Sequence, residues 1–592
     1  MSSFSHLEAL IRDPLVKLTD LRAYLDVALH HDSIDDRNML LEKLLVLMAR
    51  LSENGTDRMK EISQTMQEFA IDLLYKDLPH PPSAFLSSNF PAAPSASTVT
   101  PNPKYASRSA DGSGYSPFAP IMGMAGAPYA RSVPGLSSVD PSSLPAPELV
   151  FDALLGRPKI TKPDGKTEEK FTPHPGGVNA LFFAVADLII HSCFNTSPRD
   201  WTVNLASSYL DLSILYGSNE QELNTVRRRD GTGRLYEDVF GDKRLLFMPP
   251  ASCALLVLLS RNHNYFAERI LRINERGSFK PVESLKDDDK AKADQDDEIF
   301  ARARLVNCGF FMHIILGDYV GAILGMVRDG YKWRLNPLME FRRANHEHSP
   351  RGEGNVVSIE FNLLYRWHST LSLEDTKWTA DIFKKVLGDK DPREVTTEYF
   401  HLAVRNAVTV PMDPREWTFH GLKRDSRGKF DDSELAKILQ DSTKSRAAAY
   451  GARGIPEAMR IIEILGIEQA RSWGTCSLNE FRKFMGLKPY NSFEEWNSDP
   501  EVHGAAQQLY RNIDNLELHV GMQAEESKKP GPGAGLCPGY TISRAILADA
   551  VCLTRGDPYL TVNFTPFHFT MFGYNDCQYD HDDGTYGGGL LT

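Results

Sequence analysis

Residues 360–368 read EFNLLYRWH, and this stretch decides how the rest of the chain is interpreted. Apolar residues recur near helical spacing in this stretch, which predicts a helix from Glu360 to Leu371. On such a helix Tyr365 and His368 lie three residues apart and project toward one side, with Cβ atoms within about 6 Å. The spacing alone leaves two interpretations open: a core histidine that only packs beside a tyrosine, or a Tyr–His site that carries chemistry.

Two long apolar stretches precede it. Residues 178–190, VNALFFAVADLII, are apolar almost all round, which indicates a helix buried on every side, and His191 stands at its end. Residues 297–324, DEIFARARLVNCGFFMHIILGDYVGAIL, predict a second long helix that crosses the core. Because Gly and Pro join such patterns and no series of alternating strands occurs, the sequence predicts a large, mainly α domain.

The composition changes along the chain and suggests four segments. Residues 1–75 predict a small N-terminal helical region. Residues 76–104 are rich in Pro, Ser and Ala and predict an extended, poorly packed linker. The main domain is expected over 105–575, and residues 576–592 form a polar, glycine-rich tail.

The overall composition excludes several classes of function. A formal net charge of −12 disfavours nucleic acid as the main partner. No GxxxxGK loop, HExxH helix, GxSxG elbow or EF-hand loop occurs, so nucleotide and zinc chemistry lose support. Seven cysteines without a CxxC pair are expected to be buried thiols in a reducing compartment.

The expected location follows from two features that the sequence lacks. No window of roughly 18 uncharged apolar residues occurs, so no transmembrane segment is expected. The N-terminus lacks the basic-then-apolar order of a secretory signal. The protein is therefore expected to be intracellular, cytoplasmic or peripherally associated with lipid. Whether it is a monomer or a homo-oligomer stays open.

Seven blocks of the sequence together carry a family resemblance. They are YASRSADGSG (105–114), HSCFNT (191–196), SSYLDLSILYGSNEQE (207–222), LLSRNHNYF (258–266), IILGDYVGAIL (314–324), EFNLLYRWH (360–368) and CSLNEFRKFMGLKPYNSFEEW (476–496). In this order they resemble the cyclooxygenase and animal heme peroxidase superfamily. The spelling YRWH and the N-terminal helices are most similar to the fungal fatty-acid dioxygenases, the psi-factor-producing oxygenases and linoleate diol synthases. The resemblance implies the mainly α peroxidase fold and a heme.

The resemblance also implies roles for five residues. His368 matches the proximal ligand of the heme iron, and a neutral imidazole suits that role. Asn362 matches an asparagine near this ligand, from which a hydrogen bond to the imidazole is expected. His191 matches the distal histidine, which moves a proton between the two oxygens of a bound peroxide. Tyr365 matches the tyrosine that becomes a radical and removes a hydrogen atom from a fatty acid. Tyr319 matches a tyrosine that contacts it.

Val320, the neighbour of Tyr319, matches a valine that lines the acyl channel in cyclooxygenases. For both Tyr319 and Val320, plain packing in the core is the alternative. Asp187 stands where cyclooxygenases have a glutamine, four residues before the distal histidine. The distal hydrogen-bond pattern is therefore not expected to match theirs.

Departures from the secreted peroxidases lead to two cofactor expectations. Ile190 replaces the Asp that forms a heme ester, and residues 245–250, LLFMPP, lack a second ester-forming carboxylate, so heme b is expected to bind non-covalently. Residues 207–213 resemble the peroxidase calcium loop. Its candidate oxygen ligands are the side chains of Ser207, Asp211 and Ser213 and the carbonyl of Tyr209. Ser192 replaces the usual Asp after the distal histidine, which removes one charge from that site.

The function implied is heme-dependent dioxygenation of an unsaturated 18-carbon fatty acid, linoleic or oleic acid, to the 8- or 10-hydroperoxide through a tyrosyl radical. The partners implied are the fatty acid and O2. The alternative enzyme is a heme peroxidase that oxidises small molecules at the heme edge. A third alternative is a non-catalytic protein that keeps the scaffold, which the pair His191 and His368 disfavours.

Overall fold

The structure, a computed structural model, describes residues 2–30, 32–78, 82, 84–91, 104–135, 137, 139–326, 330–343, 345–407 and 410–578. Helices dominate these residues. The only sheet among them has two antiparallel strands, β1 (Lys159–Thr161) and β2 (Thr167–Glu169), with Ile160 opposite Glu168. The prediction of a mainly α protein is confirmed.

The helices are numbered in chain order. The N-terminal ones are α1 (Ser2–Arg12), α2 (Leu18–Leu29), α3 (Leu40–Asn54) and α4 (Asp57–Lys76). The first half of the main body has α5 (Pro147–Val150), α6 (Ala180–Cys193), α7 (Ser213–Tyr216), α8 (Glu220–Val226), α9 (Pro250–Ile273), α10 (Asp289–Ile314), α11 (Val320–Leu324), α12 (Ile359–Leu364) and α13 (Leu373–Leu387). The second half has α14 (Thr397–Ala407), α15 (Asp432–Lys444), α16 (Arg460–Ser472), α17 (Leu478–Phe484), α18 (Phe493–Trp496), α19 (Pro500–Tyr510), α20 (Leu518–Gln523), α21 (Tyr540–Gly556), α22 (Pro566–Phe569) and α23 (Met571–Asp576).

The N-terminal helices form a small core of their own and dock on the main body both through the main hydrophobic core and through buried ion pairs. Leu47 and Leu51 of α3 pack against Met59 and Ile62 of α4. Three carboxylates of this unit pair with cations of the main body: Asp36 with Arg482 at 2.7 Å, Asp77 with Arg544 at 2.6 Å, and Glu42 with Lys528. All of these side chains are largely buried, so the unit is an integral part of the described fold.

Part of the predicted linker is packed rather than loose. The backbone N–H of Arg131 donates to the carbonyl of Ala84 at 3.0 Å, and that of Leu86 donates to the carbonyl of Tyr129 at 3.0 Å. An extended stretch can pair in this way because no helix uses its backbone groups. Residues 79–81, 83 and 92–103 of the predicted linker, and residues 579–592 of the predicted tail, lie outside the described residues.

The centre of the main body consists of α6, α9 and α10, with α9 packed against both of the others. α6 covers most of the stretch 178–190, and its buried residues occur on all sides, as the sequence predicts. α10 begins at Asp289, earlier than the predicted Asp297. The helical run from Asp289 to Leu324 is long and apolar enough to cross a membrane, but 89% of its apolar window is buried inside the protein. A core helix of this length has the same composition.

The second predicted core helix is interrupted near its end. Residues Ile315–Tyr319 form a π-helical turn between α10 and α11, and Gly325, with φ +62°, ends α11. A π-helical turn re-aims the side chains that follow it and occurs often at functional sites. Tyr319 and Val320 stand at this change of helix type.

The predicted helix from Glu360 to Leu371 is confirmed only over its first part. Helix α12 ends at Leu364, and a separate 3₁₀ turn covers His368–Thr370. The indole N–H of Trp367 donates to the carbonyl of Leu364 at 2.7 Å. In a continued helix this carbonyl would accept from the backbone N–H of His368, so the indole occupies the acceptor where the helix ends. Tyr365 and His368 therefore lie on different turns, and helical spacing does not set their relative direction.

Candidate active site

His191 lies in the last turn of α6 with its ring partly buried. The ring Nδ1 lies 2.8 Å from the backbone carbonyl of Asp187, one turn earlier. Burial, together with the positive charge of Arg244, lowers the pKa of His191 to about 4. The imidazole is therefore neutral near pH 7. Its proton lies on Nδ1, and Nε2 has no hydrogen-bond partner in the part of the chain that the structure describes. A neutral imidazole in this state accepts a proton at Nε2.

Asp187 reaches the neighbouring core helix rather than His191 with its side chain. Its Oδ2 accepts a hydrogen bond from Ser252 Oγ on α9 at 2.8 Å. Burial raises the pKa of this carboxyl to about 7, and the hydrogen bond from Ser252 opposes the rise. Near neutral pH part of this carboxyl group is therefore protonated and uncharged. In that state it resembles the uncharged glutamine that cyclooxygenases have at this position.

A buried carboxylate holds the ring of His368. The ring Nδ1 lies 2.6 Å from Glu463 Oε2 of α16, and the other oxygen of Glu463 lies 2.6 Å from Nε2 of His519 of α20. Burial by itself raises the pKa of Glu463, but the charge of His519 and the hydrogen bonds from both histidines outweigh it and hold the pKa well below its usual range. Glu463 is therefore a carboxylate that accepts the Nδ1–H of His368, and Nε2 of His368 is the nitrogen left to bind a metal.

Glu463 and His519 were missed by the sequence analysis. One feature of the sequence points to Glu463: it is the only acidic residue in the apolar stretch RIIEILGI (460–467), at the start of α16. A carboxylate buried in an apolar helix needs a hydrogen-bonding or charged partner. Nothing in the sequence indicates that this partner is His368. That pairing depends on how α16 and α20 pack around the turn at 368–370.

The expected hydrogen bond from Asn362 to the imidazole is wrong. Asn362 Oδ1 instead accepts from Arg366 Nη2 at 2.7 Å, and Arg366 also bonds Gln469. Glu463 occupies the hydrogen-bonding position beside His368 Nδ1. Asn362 therefore orders Arg366, two residues before His368, rather than the ring itself.

Tyr365 and Tyr319 are neighbours, as the sequence analysis expected. Tyr319 stacks on Phe182 of α6 with ring centroids 4.6 Å apart, and Tyr365 stacks on Trp367 at 5.1 Å. Burial raises the pKa of Tyr319 well above its usual value, and the adjacent phenol of Tyr365 raises it further. Both rings thus connect α6 with the segment that carries His368.

The phenol of Tyr365 keeps its proton at neutral pH. Burial raises its pKa, and the nearby Cys193 and Asp549 add to the rise, whereas the adjacent hydroxyl of Tyr319 opposes it. Cys193 is the last residue of α6, so Tyr365 also lies near the end of the helix that carries His191. Val320 is 8% exposed and belongs to the main hydrophobic core beside Tyr319.

The expected calcium loop is assembled, but its oxygen atoms are already paired with one another. Ser207 Oγ donates to Asp211 Oδ2 at 2.9 Å and lies 3.4 Å from the carbonyl of Tyr209. The backbone N–H of Ser213 donates to Asp211 Oδ1 at 3.0 Å, and Ser213 Oγ donates to the carbonyl of Ser192 at 2.9 Å. The polar groups of the loop are thus paired with one another and with neighbouring protein atoms.

The positive charge next to Asp211 is a guanidinium. Arg304 Nη2 of α10 lies 3.7 Å from Asp211 Oδ2, and the two side chains are 1% and 0% exposed. The hydroxyl of Tyr115 donates to the same oxygen at 3.4 Å. Calcium takes about six to eight oxygen ligands and prefers carboxylates. A single carboxylate that already faces an arginine is a poor ligand for this ion, so these contacts do not favour the expected calcium site, which stays a prediction.

Replacing Arg304 by methionine is expected to lower the free energy of unfolding by about 3–5 kcal/mol, because it leaves Asp211 buried without its cation. It is also expected to make the melting temperature rise when CaCl2 is added, whereas EDTA leaves the unmodified chain unchanged. Thermal unfolding with and without each reagent measures both effects. Arg229→Met is the control, since Arg229 forms an exposed pair with Asp297. A melting temperature of the unmodified chain that falls in EDTA would contradict the assignment.

The donors around His368 fit a heme iron. Nδ1 is fixed by a carboxylate, Nε2 is free among the described residues, and the side chain is 23% exposed, which leaves one edge of the ring accessible. A ring held in this way is the usual arrangement of a metal-binding histidine. His191 is a second imidazole, two residues before Cys193, which lies near Tyr365.

Comparisons with known proteins identify the family of this chain. Residues 236–579 match the family model described as animal haem peroxidase. The chain is 40% identical over 552 residues to linoleate 10R-lipoxygenase of Aspergillus fumigatus, covering 92% of this chain and 46% of that protein. It is 40% identical over 550 residues to linoleate diol synthase of Gaeumannomyces graminis, covering 92% of this chain and 44% of that protein. The chain thus spans about half the length of the curated relatives it matches.

A solved structure supports the same fold. The fatty acid alpha-dioxygenase of Arabidopsis thaliana superposes with a TM-score of 0.57 at 17% identity, over 95% of this chain and 92% of that one. At this identity the likeness concerns the fold alone. The family model covers more than half of the chain and includes His368, Glu463 and Tyr365. The protein therefore belongs to the animal haem peroxidase family.

Proposed function

We propose that the protein is a heme-dependent dioxygenase that converts an unsaturated 18-carbon fatty acid, linoleic or oleic acid, to its 8- or 10-hydroperoxide through a radical on Tyr365. The observation that carries the proposal is the buried, protonated phenol of Tyr365 beside Tyr319, close to the end of α6. A peroxidase that acts only at the heme edge has no use for such a phenol. The printed names of the relatives, a linoleate lipoxygenase and a linoleate diol synthase, support the substrate class.

His368 would hold heme b through Nε2, with Glu463 fixing the ring. When bound, heme supplies an oxidant that takes an electron from the phenol of Tyr365. Ile190 and residues 245–250, LLFMPP, offer no carboxylate where secreted peroxidases form heme esters, which supports non-covalent binding. The seven buried thiols, none of them in a disulfide, support a reducing compartment, cytoplasmic or at a lipid surface.

The residues of the chain would divide the work as follows. His191 takes a proton from the peroxide at Nε2 and returns it to the leaving oxygen. Tyr365 releases its phenolic proton when it loses an electron, and its phenoxyl oxygen then takes a hydrogen atom from the fatty acid. After O2 adds to the carbon radical, the phenol would return this hydrogen atom to the peroxyl radical, which gives the hydroperoxide and regenerates the phenoxyl radical. Tyr319 holds the Tyr365 ring in place, and the apolar surroundings, including Val320, keep water away from the carbon radical until O2 adds.

Incubating the heme-loaded chain with linoleic acid tests the proposal. We expect O2 uptake that depends on the fatty acid, together with 8- or 10-hydroperoxide identified by mass spectrometry. A matched reaction with stearic acid, which lacks the double bonds, is the control and should consume no O2. Oxidation of a small phenol without O2 uptake on linoleic acid would favour the alternative, a peroxidase acting at the heme edge.

Enlarging Val320 to leucine is expected to change the ratio of 8- to 10-hydroperoxide while heme content stays the same. The two carbons are the ends of one delocalised radical, so a methylene added to the wall changes which end O2 reaches. Val502→Leu, at a buried position on α19, is the control and is expected to cost only stability, about 1–3 kcal/mol. Chiral chromatography of the products measures the ratio. An unchanged ratio in a folded Val320→Leu protein would remove Val320 from the channel wall.

A further inference from the structure

We propose that Glu463 is a positioning residue that tunes the heme iron through its hydrogen bond to His368, and that a second hydrogen bond, to His519, holds its carboxylate in place. The inference rests on the proposed ligation of iron by His368. It goes beyond that proposal because it concerns the electron density that the ligand donates. The sequence analysis assigned this neighbourhood to Asn362, which the structure places on Arg366 instead.

The geometry is a chain of two short hydrogen bonds. Glu463 Oε2 lies 2.6 Å from Nδ1 of His368, and Glu463 Oε1 lies 2.6 Å from Nε2 of His519. Glu463 and His519 are 0% and 1% exposed, so water does not compete for the carboxylate. Charge-assisted hydrogen bonds of this length are stronger than neutral ones, and low local polarity strengthens them further.

The surrounding packing maintains this chain of hydrogen bonds. A Cβ atom added to Gly466 would lie 3.2 Å from Nε2 of His519 and 2.8 Å from Nη1 of Arg366, so only glycine lets these groups approach α16 closely. The guanidinium of Arg366 also lies near Glu463, but its hydrogen bonds go to Asn362 and Gln469. Arg366 thus adds positive charge near the carboxylate without displacing either histidine from it.

The consequence for the iron follows from the position of the proton. Nδ1 of His368 donates its proton toward an anionic acceptor, so the ring gains part of the character of an imidazolate and becomes a stronger donor at Nε2. A stronger donor stabilises ferric iron relative to ferrous iron. Hydrogen bonding and charge near an axial ligand are among the means by which proteins set heme potentials.

The test compares Glu463→Gln, Glu463→Asp and the unmodified holoenzyme. We expect Glu463→Gln to keep heme, to raise the Fe(III)/Fe(II) potential and to lower the Fe–His stretching frequency of the ferrous protein in resonance Raman spectra. Glu463→Asp keeps the carboxylate and should restore both values at least in part. Glu517→Gln is the control, because Glu517 pairs with Arg471 and Tyr510 and should leave both values unchanged.

Two results would overturn the inference. One is a Glu463→Gln protein with bound heme, an unchanged potential and an unchanged Fe–His frequency. The other needs no variant: the Fe–His frequency of the unmodified ferrous protein should exceed that of ferrous heme with 2-methylimidazole in water, and an equal or lower value contradicts a carboxylate on Nδ1. A missing Fe–His band in the unmodified protein would instead count against ligation by His368, so the two failures are distinguishable.

Discussion

Replacing Tyr365 by phenylalanine is expected to abolish fatty-acid oxygenation while heme binding and oxidation of small reductants persist. The ring of phenylalanine can still stack on Trp367, as Tyr365 does at 5.1 Å, so the packing survives. The phenolic O–H is lost, and with it the only atom of this side chain that can form the radical. O2 uptake with linoleic acid should fall to the background of free heme, and the tyrosyl signal in electron paramagnetic resonance should disappear.

Tyr450→Phe is the matched control for this prediction. Tyr450 is also buried, and its hydroxyl donates to the carbonyl of Met522 at 2.9 Å, away from Tyr319. It should retain O2 uptake and lose only the stability of one hydrogen bond, about 1 kcal/mol. Oxygenation that survives in Tyr365→Phe would show that another residue abstracts the hydrogen atom.

Sequence patterns predicted the elements of this fold well where periodicity was strong. The stretch 178–190 is apolar on all sides, and a buried helix is the structure that such a pattern permits. The end of α12 was not predictable in the same way. It depends on a hydrogen bond from the indole of Trp367 to Leu364, and helical periodicity carries no information about such a side-chain cap.

The residues of the candidate site also differ in how far the sequence could predict them. His191, His368, Tyr365 and Tyr319 could be assigned because the blocks around them resemble a family. Glu463 and His519 could not, because they come from α16 and α20, about 95 and 150 residues after the histidine they support. Arg304 was hidden for the same reason. A loop sequence predicts which oxygen atoms could bind calcium, but it does not show that an arginine of a distant helix already faces them.

This dependence on distant residues also distinguishes the two histidines. His191 is held by a backbone carbonyl one helical turn away, which any sequence forming α6 would supply. The partner of His368 is a side chain, so a single substitution at Glu463 can remove it while the fold remains. If His368 ligates the heme iron as proposed, its side of the site is the part where the properties of the iron can change without loss of the scaffold.

Replacing His368 by alanine is expected to remove heme from the protein and abolish both oxygenation and peroxidase activity. The loss of affinity should exceed the roughly 10- to 100-fold expected for loss of an outer-shell partner, because the ligand itself is gone. The Soret band of bound heme should be absent after heme is added and the excess removed. Heme should raise the melting temperature of the unmodified chain and not that of His368→Ala, since a ligand stabilises only a native state that binds it.

Adding imidazole separates loss of the ligand from loss of the fold. The alanine leaves a space beside Glu463, whose Oε2 lies 2.6 Å from Nδ1 of His368 in the unmodified chain and can accept a hydrogen bond from the added ring. Imidazole should therefore restore part of the Soret band in His368→Ala, and less in the double variant with Glu463→Gln. His519→Ala keeps the iron ligand and should bind heme without imidazole. A normal Soret band in His368→Ala would mean that another side chain ligates the iron, and both the ligand assignment and the role given to Glu463 would then be wrong.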